Sequence, residues 1–158
     1  VVEPDSDEVY VFPTSFAQQR LWFTHQLDPD SPAYNVPVAV QIEGPLQADA
    51  LEKSINAIVE RHEMLRTTFT VMDGEPMQVI YPQLNIAMVH VDLSKLSEAE
   101  RLDRAKQLAA EEVQRPFDLE HGPLLRVSLL QLGADTHILA ITIHHIACDG
   151  WSLSLIHI

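Results

Sequence analysis

The chain has 158 residues, 46% hydrophobic and 21% charged, the balance of a globular chain that forms one domain or one large part of a domain, and it argues against disorder. Ten Lys and Arg stand against 23 Asp and Glu, a net charge of −13 that repels phosphate backbones and anionic lipid, so nucleic acid and membrane surfaces are poor candidate partners. No apolar run reaches the roughly 18 residues of a spanning helix, Val1 to Glu8 lacks the basic-then-apolar order of a signal peptide, and the one cysteine, Cys148, excludes an internal disulfide framework and fits a reducing, cytoplasmic setting.

Residues 1–11 read as an acidic interdomain linker, with Glu3, Asp5, Asp7 and Glu8 around Pro4 and no helical period. Ser15 then caps a helix that runs to about Leu27, and Asp28-Pro29-Asp30-Ser31-Pro32 stops it. Phe16, Leu21, Trp22 and Phe23 on this helix are taken as packing residues; Gln18, Gln19 and Arg20 either line a cleft or face solvent. Asn35 to Glu43 alternates as a strand, with Val36, Val38, Val40 and Ile42 on one side, until Gly44-Pro45 breaks it. Leu51, Ile55, Ile58, Val59 and His62 form one apolar stripe on a helix from Ala48 to about His62. Leu65 to Val71 and Met77 to Tyr81 flank a turn at Asp73-Gly74, a predicted hairpin, and Ile86 to Val91 is a further strand. Ser97 and Glu100 make a capping box for a helix from Glu98 to about Gln114, with Leu102, Ala105, Leu108, Ala109 and Val113 turned inward and Pro116 ending it. Leu124 to Leu132, a turn at Gly133-Ala134-Asp135 and Thr136 to His144 form the clearest hairpin in the chain. The predicted class is α/β, an α+β sandwich with a mixed sheet and flanking helices.

Chemistry concentrates at His144-His145-Ile146-Ala147-Cys148-Asp149-Gly150-Trp151, where a long apolar strand gives way to a turn. A rigid strand aims side chains and the following loop opens to a cleft. Neighbouring strand residues point to opposite faces, so one histidine can face a cleft while the other packs inward. The same geometry makes them an awkward pair of ligands for one ion, and no metal site is expected. A neutral imidazole is the default general base near neutral pH. Asp149 either orders the loop by pairing with a buried arginine or touches the imidazole directly. Cys148 has no basic neighbour in sequence to lower its pKa and reads as a small loop or core residue. The other histidines, His25, His90, His121, His137 and His157, carry no pattern and read as surface or structural, and His62 suits the end of its helix.

His144-His145-x-x-x-Asp149-Gly150 resembles the HHxxxDG signature of the condensation domains of nonribosomal peptide synthetases, a close variant of which occurs in chloramphenicol acetyltransferases and related CoA-dependent enzymes. Ser15-Phe16-Ala17-Gln18-Gln19-Arg20-Leu21-Trp22-Phe23 resembles that family's first motif, SxAQxRLWF. Arg61-His62-Glu63-Met64-Leu65-Arg66-Thr67-Thr68-Phe69 resembles its second, RHExLRTxF. Three motifs in the right order make the resemblance specific, and it covers the chain from about Val11 to Leu155.

The resemblance implies a chloramphenicol-acetyltransferase-like lobe over residues 12–158, matching the N-terminal lobe of a two-lobe domain; the chain stops at Ile158, and we read it as a fragment lacking the C-terminal lobe. It implies substrates carried on the 4′-phosphopantetheine arms of upstream and downstream peptidyl carrier proteins, an adjacent adenylation domain, and no cofactor bound directly. An acceptor amine attacks a donor thioester and a peptide bond forms. His145 is implied as the catalytic histidine, orienting or deprotonating the amine or stabilising the tetrahedral intermediate. Gly150 is implied as a backbone N–H donor near the reacting groups, and His144 as its supporting neighbour. Asp149 is implied as structural, paired with Arg61 as first choice or Arg66 as second. The first motif resembles the subtype that joins an L-configured donor to an L-configured acceptor. Two other readings compete: a partner-docking module of the same fold that condenses nothing, disfavoured because His145 is present, and a stand-alone CoA-dependent acyltransferase, disfavoured by the first two motifs.

Overall fold

The computed structural model describes residues 9–148. Its elements in chain order are β1 (Tyr10–Pro13), α1 (Phe16–Leu27), β2 (Asn35–Glu43), α2 (Ala48–Arg61), a 3-10 turn (Glu63–Arg66), β3 (Thr67–Met72), β4 (Glu75–Ile80), β5 (Met88–Asp92), α3 (Glu98–Gln114), β6 (Leu125–Gln131) and β7 (Thr136–His144). They build two sheets. One has four strands in the order β2-β7-β6-β5, and the other has three in the order β1-β4-β3. In the larger sheet β7 runs antiparallel to both β2 and β6, while β5 and β6 are parallel with α3 as their crossover. The mixed α/β class read from the sequence is the observed one.

The larger sheet is covered on both faces, and period-two alternation sorts its residues between them. Leu125 and Val127 of β6 and Ile143 of β7 pack with Ile55 and Val59 of α2. Leu130 and Leu132 pack with Leu93 and with Ala105 of α3. A third cluster joins Phe69, Phe117, Leu119, Leu124 and Ile146, with Leu21, Trp22 and Met64 against it. This cluster ties α1 and the smaller sheet to the segment that follows β7.

Local chemistry explains most boundaries. Capping boxes start α1 and α3: Ser15 Oγ accepts from Gln18 N and Gln18 Oε1 from Ser15 N at 2.8 Å, and Ser97 pairs with Glu100 in the same way. Asp73 and Gly74 have φ of 53° and 83°, the two left-handed residues that a type I′ hairpin turn needs. β5 starts at Met88, two residues later than expected, because Asn56 of α2 takes both backbone groups of Ile86: its Oδ1 accepts from Ile86 N at 2.7 Å and its Nδ2 donates to Ile86 O at 3.0 Å. β3 likewise starts at Thr67, because Leu65 and Arg66 close the 3-10 turn.

Three expectations are corrected. Tyr10 and Val11 do not belong to a linker; they pair with Ile80 and Val79 as the edge strand β1. Leu102 of α3 is exposed, although Ala105 beside it is buried. On α1, Leu21 and Trp22 pack inward, but Phe16 and Phe23 stand 86% and 61% exposed and Leu27 73%. Positions 16, 23 and 27 share one helical face, and α1 buries only the opposite one.

Candidate active site

β7 is paired to β6 up to Ile143 and to β2 up to its last residue, His144. Backbone bonding carries on through the strand's end: His144 N donates to Leu124 O at 3.0 Å, and His145 N, one residue past it, donates to Tyr34 O at 2.8 Å. The chain then turns, with Ala147 N donating to His144 O at 3.0 Å. Two adjacent histidines are thereby held rigidly and aimed in opposite directions.

His144 is the inward one, 2% exposed. Phe117 lies edge-on to its ring at 5.8 Å between centroids, His25 at 6.1 Å, and Tyr34 is tilted at 6.3 Å. Its Nδ1 accepts a hydrogen bond from Ile146 N at 3.2 Å, so the proton of the neutral ring sits on Nε2. Burial, reinforced by His25, His145 and Arg126, lowers its pKa to about 4. His144 is a neutral imidazole that braces the turn from inside.

His145 is the exposed one. It borders a hollow of about 270 Å³ with Ala17, Gln18 and Leu21 of α1, Met64 of the 3-10 turn and Cys148. Residues from all three sequence motifs therefore meet here. Gln18, which the sequence left undecided, has two duties: it completes the α1 capping box and lines this hollow. The Ser15-x-x-Gln18 spacing is a capping-box signal legible in the sequence.

Asp149 and Gly150 lie outside the described residues. Of the two candidate arginines, Arg61 is exposed at the end of α2. Arg66 is the more enclosed one, its side chain 13% exposed. Its Nη1 donates to the Tyr81 carbonyl, its Nη2 lies 3.8 Å from Glu63, and its buried Nε has no hydrogen-bond partner among the described residues. Sequence reasoning missed Tyr34 and Phe117, which hold the histidines without belonging to any motif; only folding brings them there. Among the described residues no three His, Cys, Asp or Glu side chains come together as metal ligands.

Residues 9–157 match the family model described as the condensation domain. The chain belongs to the condensation-domain family. It is 49% identical over 143 residues to a linear gramicidin synthase of Brevibacillus parabrevis, covering 90% of this chain and 2% of that protein. It is 44% identical over 153 residues to the phosphinothricin tripeptide synthetase PhsC of Streptomyces viridochromogenes, covering 97% of this chain and 14% of that one. The crystal structure of the starter condensation domain of rhizomide synthetase RzmA superimposes with a TM-score of 0.85 at 28% identity, over 94% of this chain and 37% of that chain. A variant of that domain has been solved in complex with C8-CoA and Leu-SNAC, at a TM-score of 0.84 and 28% identity, over 93% of this chain and 33% of that one. The chain thus spans a small part of the curated relatives it matches, and about a third of a solved condensation domain. Among the described residues no helix is long and apolar enough to cross a membrane.

Proposed function

We propose that this chain is the histidine-bearing N-terminal lobe of a condensation domain that forms a peptide bond between two carrier-bound thioesters. The observation that carries the reading is the pose of His145, an exposed imidazole at the end of a doubly paired strand, beside a hollow lined by all three motifs. Its coverage of a third of the RzmA domain supports one lobe of two. The lobe starts with β1, and only the residues before Tyr10 are left to an interdomain linker.

The step is an aminolysis. The acceptor amine, hydrogen-bonded to His145, attacks the donor thioester carbonyl. The N–C bond forms, the oxygen takes the negative charge, and Gly150 N–H stabilises it. The C–S bond then breaks, and the proton lost by nitrogen leaves with the thiolate as thiol. His145 is required because an unpositioned, protonated amine is no nucleophile. His144 supports it by bracing the turn, and Asp149 pairs with an arginine. We rank Arg66 ahead of Arg61 for that pairing, because its side chain is 13% exposed and its buried Nε has no hydrogen-bond partner among the described residues.

The donor and acceptor are both L-configured in this reading. Both arrive on 4′-phosphopantetheine arms of upstream and downstream peptidyl carrier proteins in a cytoplasmic synthetase with an adjacent adenylation domain, and the second lobe closes the other wall of the cleft. The test is dipeptide formation from preloaded carriers by the full-length protein and by its His145→Ala variant. Loss of product with unchanged melting supports the reading; retained condensation refutes it.

A further inference from the structure

α3 ends against its own electrostatics. A helix C-terminus is the negative end of the helix dipole and favours cations, yet the last turn of α3 holds no basic residue and carries Glu111 and Glu112. The cation comes from another element. Arg126 of β6 donates from Nε to the Glu112 carboxylate, from Nη1 to Pro116 O at 3.0 Å, and from Nη2 to Glu112 O at 3.0 Å and Arg115 O at 2.8 Å. Asn35 of β2 adds a second arm: its Nδ2 donates to Val113 O at 2.7 Å and to Arg115 O at 2.9 Å. Together they bond carbonyls of Glu112, Val113, Arg115 and Pro116, which lie where a helix end leaves its acceptors open.

The two arms of this clamp stand on the strands that flank β7, one on each side. Asn35 is the register partner of His144, and Arg126 is that of Thr142, which shares a face of β7 with His144. The end of α3 is thereby fastened to the sheet at the histidine end of β7. Phe117 follows directly and is 4% exposed. The Arg126 guanidinium carbon lies 3.7 Å from the centre of the Phe117 ring, and that ring meets His144 edge-on at 5.8 Å. Phe117 also packs with Ile146, whose N–H bonds to Nδ1 of His144. One side chain, Arg126, thus fixes both the backbone before Phe117 and the Phe117 ring. That ring is set against both partners of the bond that holds the turn beside His145.

We propose that Arg126 is a positioning residue for condensation: by clamping the end of α3 and the Phe117 ring against His144, it sets where the turn presents His145. This rests on the function proposed above. Arg126 acts through Phe117 and His144, not on the reacting atoms. Its planar fork is what the arrangement requires, since a lysine keeps the positive charge but cannot bond the Glu112 carboxylate and three carbonyls at once. A displacement of about 1 Å at a reacting group costs up to about a hundredfold in rate, so a clamp several residues away reaches the chemistry.

The test follows one turnover of the full-length protein with both carriers preloaded, and reads a rate constant and an amplitude. In Arg126→Lys the rate constant for dipeptide formation falls about tenfold, while the amplitude, which counts the protein able to react, stays. Phe117→Leu, which leaves the bonds from Arg126 to α3 in place, shows a similar fall. The double variant stays within about twofold of the slower single, because the two residues act in series. An unchanged rate constant in either single variant overturns the proposal. So does a loss of amplitude at an unchanged rate constant, the mark of a structural role, and so do two losses that multiply in the double variant. Should Arg126→Lys fail to fold, Phe117→Leu carries the same expectation and the same refutation. If the unaltered protein forms no dipeptide, the functional reading itself fails and the role of Arg126 falls with it.

Discussion

Ile146 N donates to Nδ1 of His144 across 3.2 Å, so the inward histidine of the pair holds the turn on which the outward one stands. The bond exists only while Nδ1 carries no proton, and burial keeps it so down to about pH 4.

The pH dependence of stability follows. Free in the unfolded chain, this imidazole takes up a proton near its ordinary value of 6.5, while in the folded chain it resists until about 4. The folded state therefore has its full stability above 6.5, loses stability as pH falls through the window from 6.5 to about 4, and loses nothing more to this group below it. The loss is about 3 kcal/mol. Urea melts across that window show it, and His144→Gln removes most of the slope there while leaving Ile146 N an acceptor within reach.

Arg66 and Arg61 separate by burial. Arg66→Ala strips a bond from the Tyr81 carbonyl and empties a site 13% exposed, and it lowers stability by about 2–4 kcal/mol. Arg61→Ala, at the exposed end of α2, stays within about 0.5 kcal/mol. With Asp149 paired as proposed, Asp149→Ala is expected to damage folding more than chemistry, lowering stability by about 3–5 kcal/mol in urea melts. A double-mutant cycle between positions 149 and 66 reads a coupling above about 1 kcal/mol, and the same cycle with position 61 reads none.

Phe16, Phe23 and Leu27 put an apolar stripe on the outer face of α1. The 158-residue chain by itself is expected to self-associate through this stripe, which sedimentation velocity reads. Replacing all three by Ser shifts its sedimentation toward monomer with little change in melting, because none of the three is buried.

Much of the fold was legible because local signals were strong. The Ser97–Glu100 box, the Asp73-Gly74 turn and the alternation of β7 each commit their segments without help from the rest of the chain. The readings that moved depended on tertiary contacts. β5 loses its first two residues to the side chain of Asn56, 30 positions away. β1 is a strand only because β4 is there to pair with it. Phe16, Leu21, Trp22 and Phe23 of α1 read as packing residues, yet a helix packed on one side buries only some of them. At the site, alternation along β7 predicts one inward and one outward histidine, but not which. Tyr34 and Phe117 come to the pair only through the folded sheet and the segment before β6. Arg66 is less exposed than Arg61, a difference that the motif shared by both residues does not encode.

The central claim is that His145 does chemistry and His144 does not. Single-turnover condensation between preloaded carriers, measured for His145→Ala in the full-length protein alongside its melting curve, tests it most directly. The expected result is unchanged melting and a loss of at least about a hundredfold in the rate of dipeptide formation. Amide formation within about twofold of the unaltered protein would contradict it.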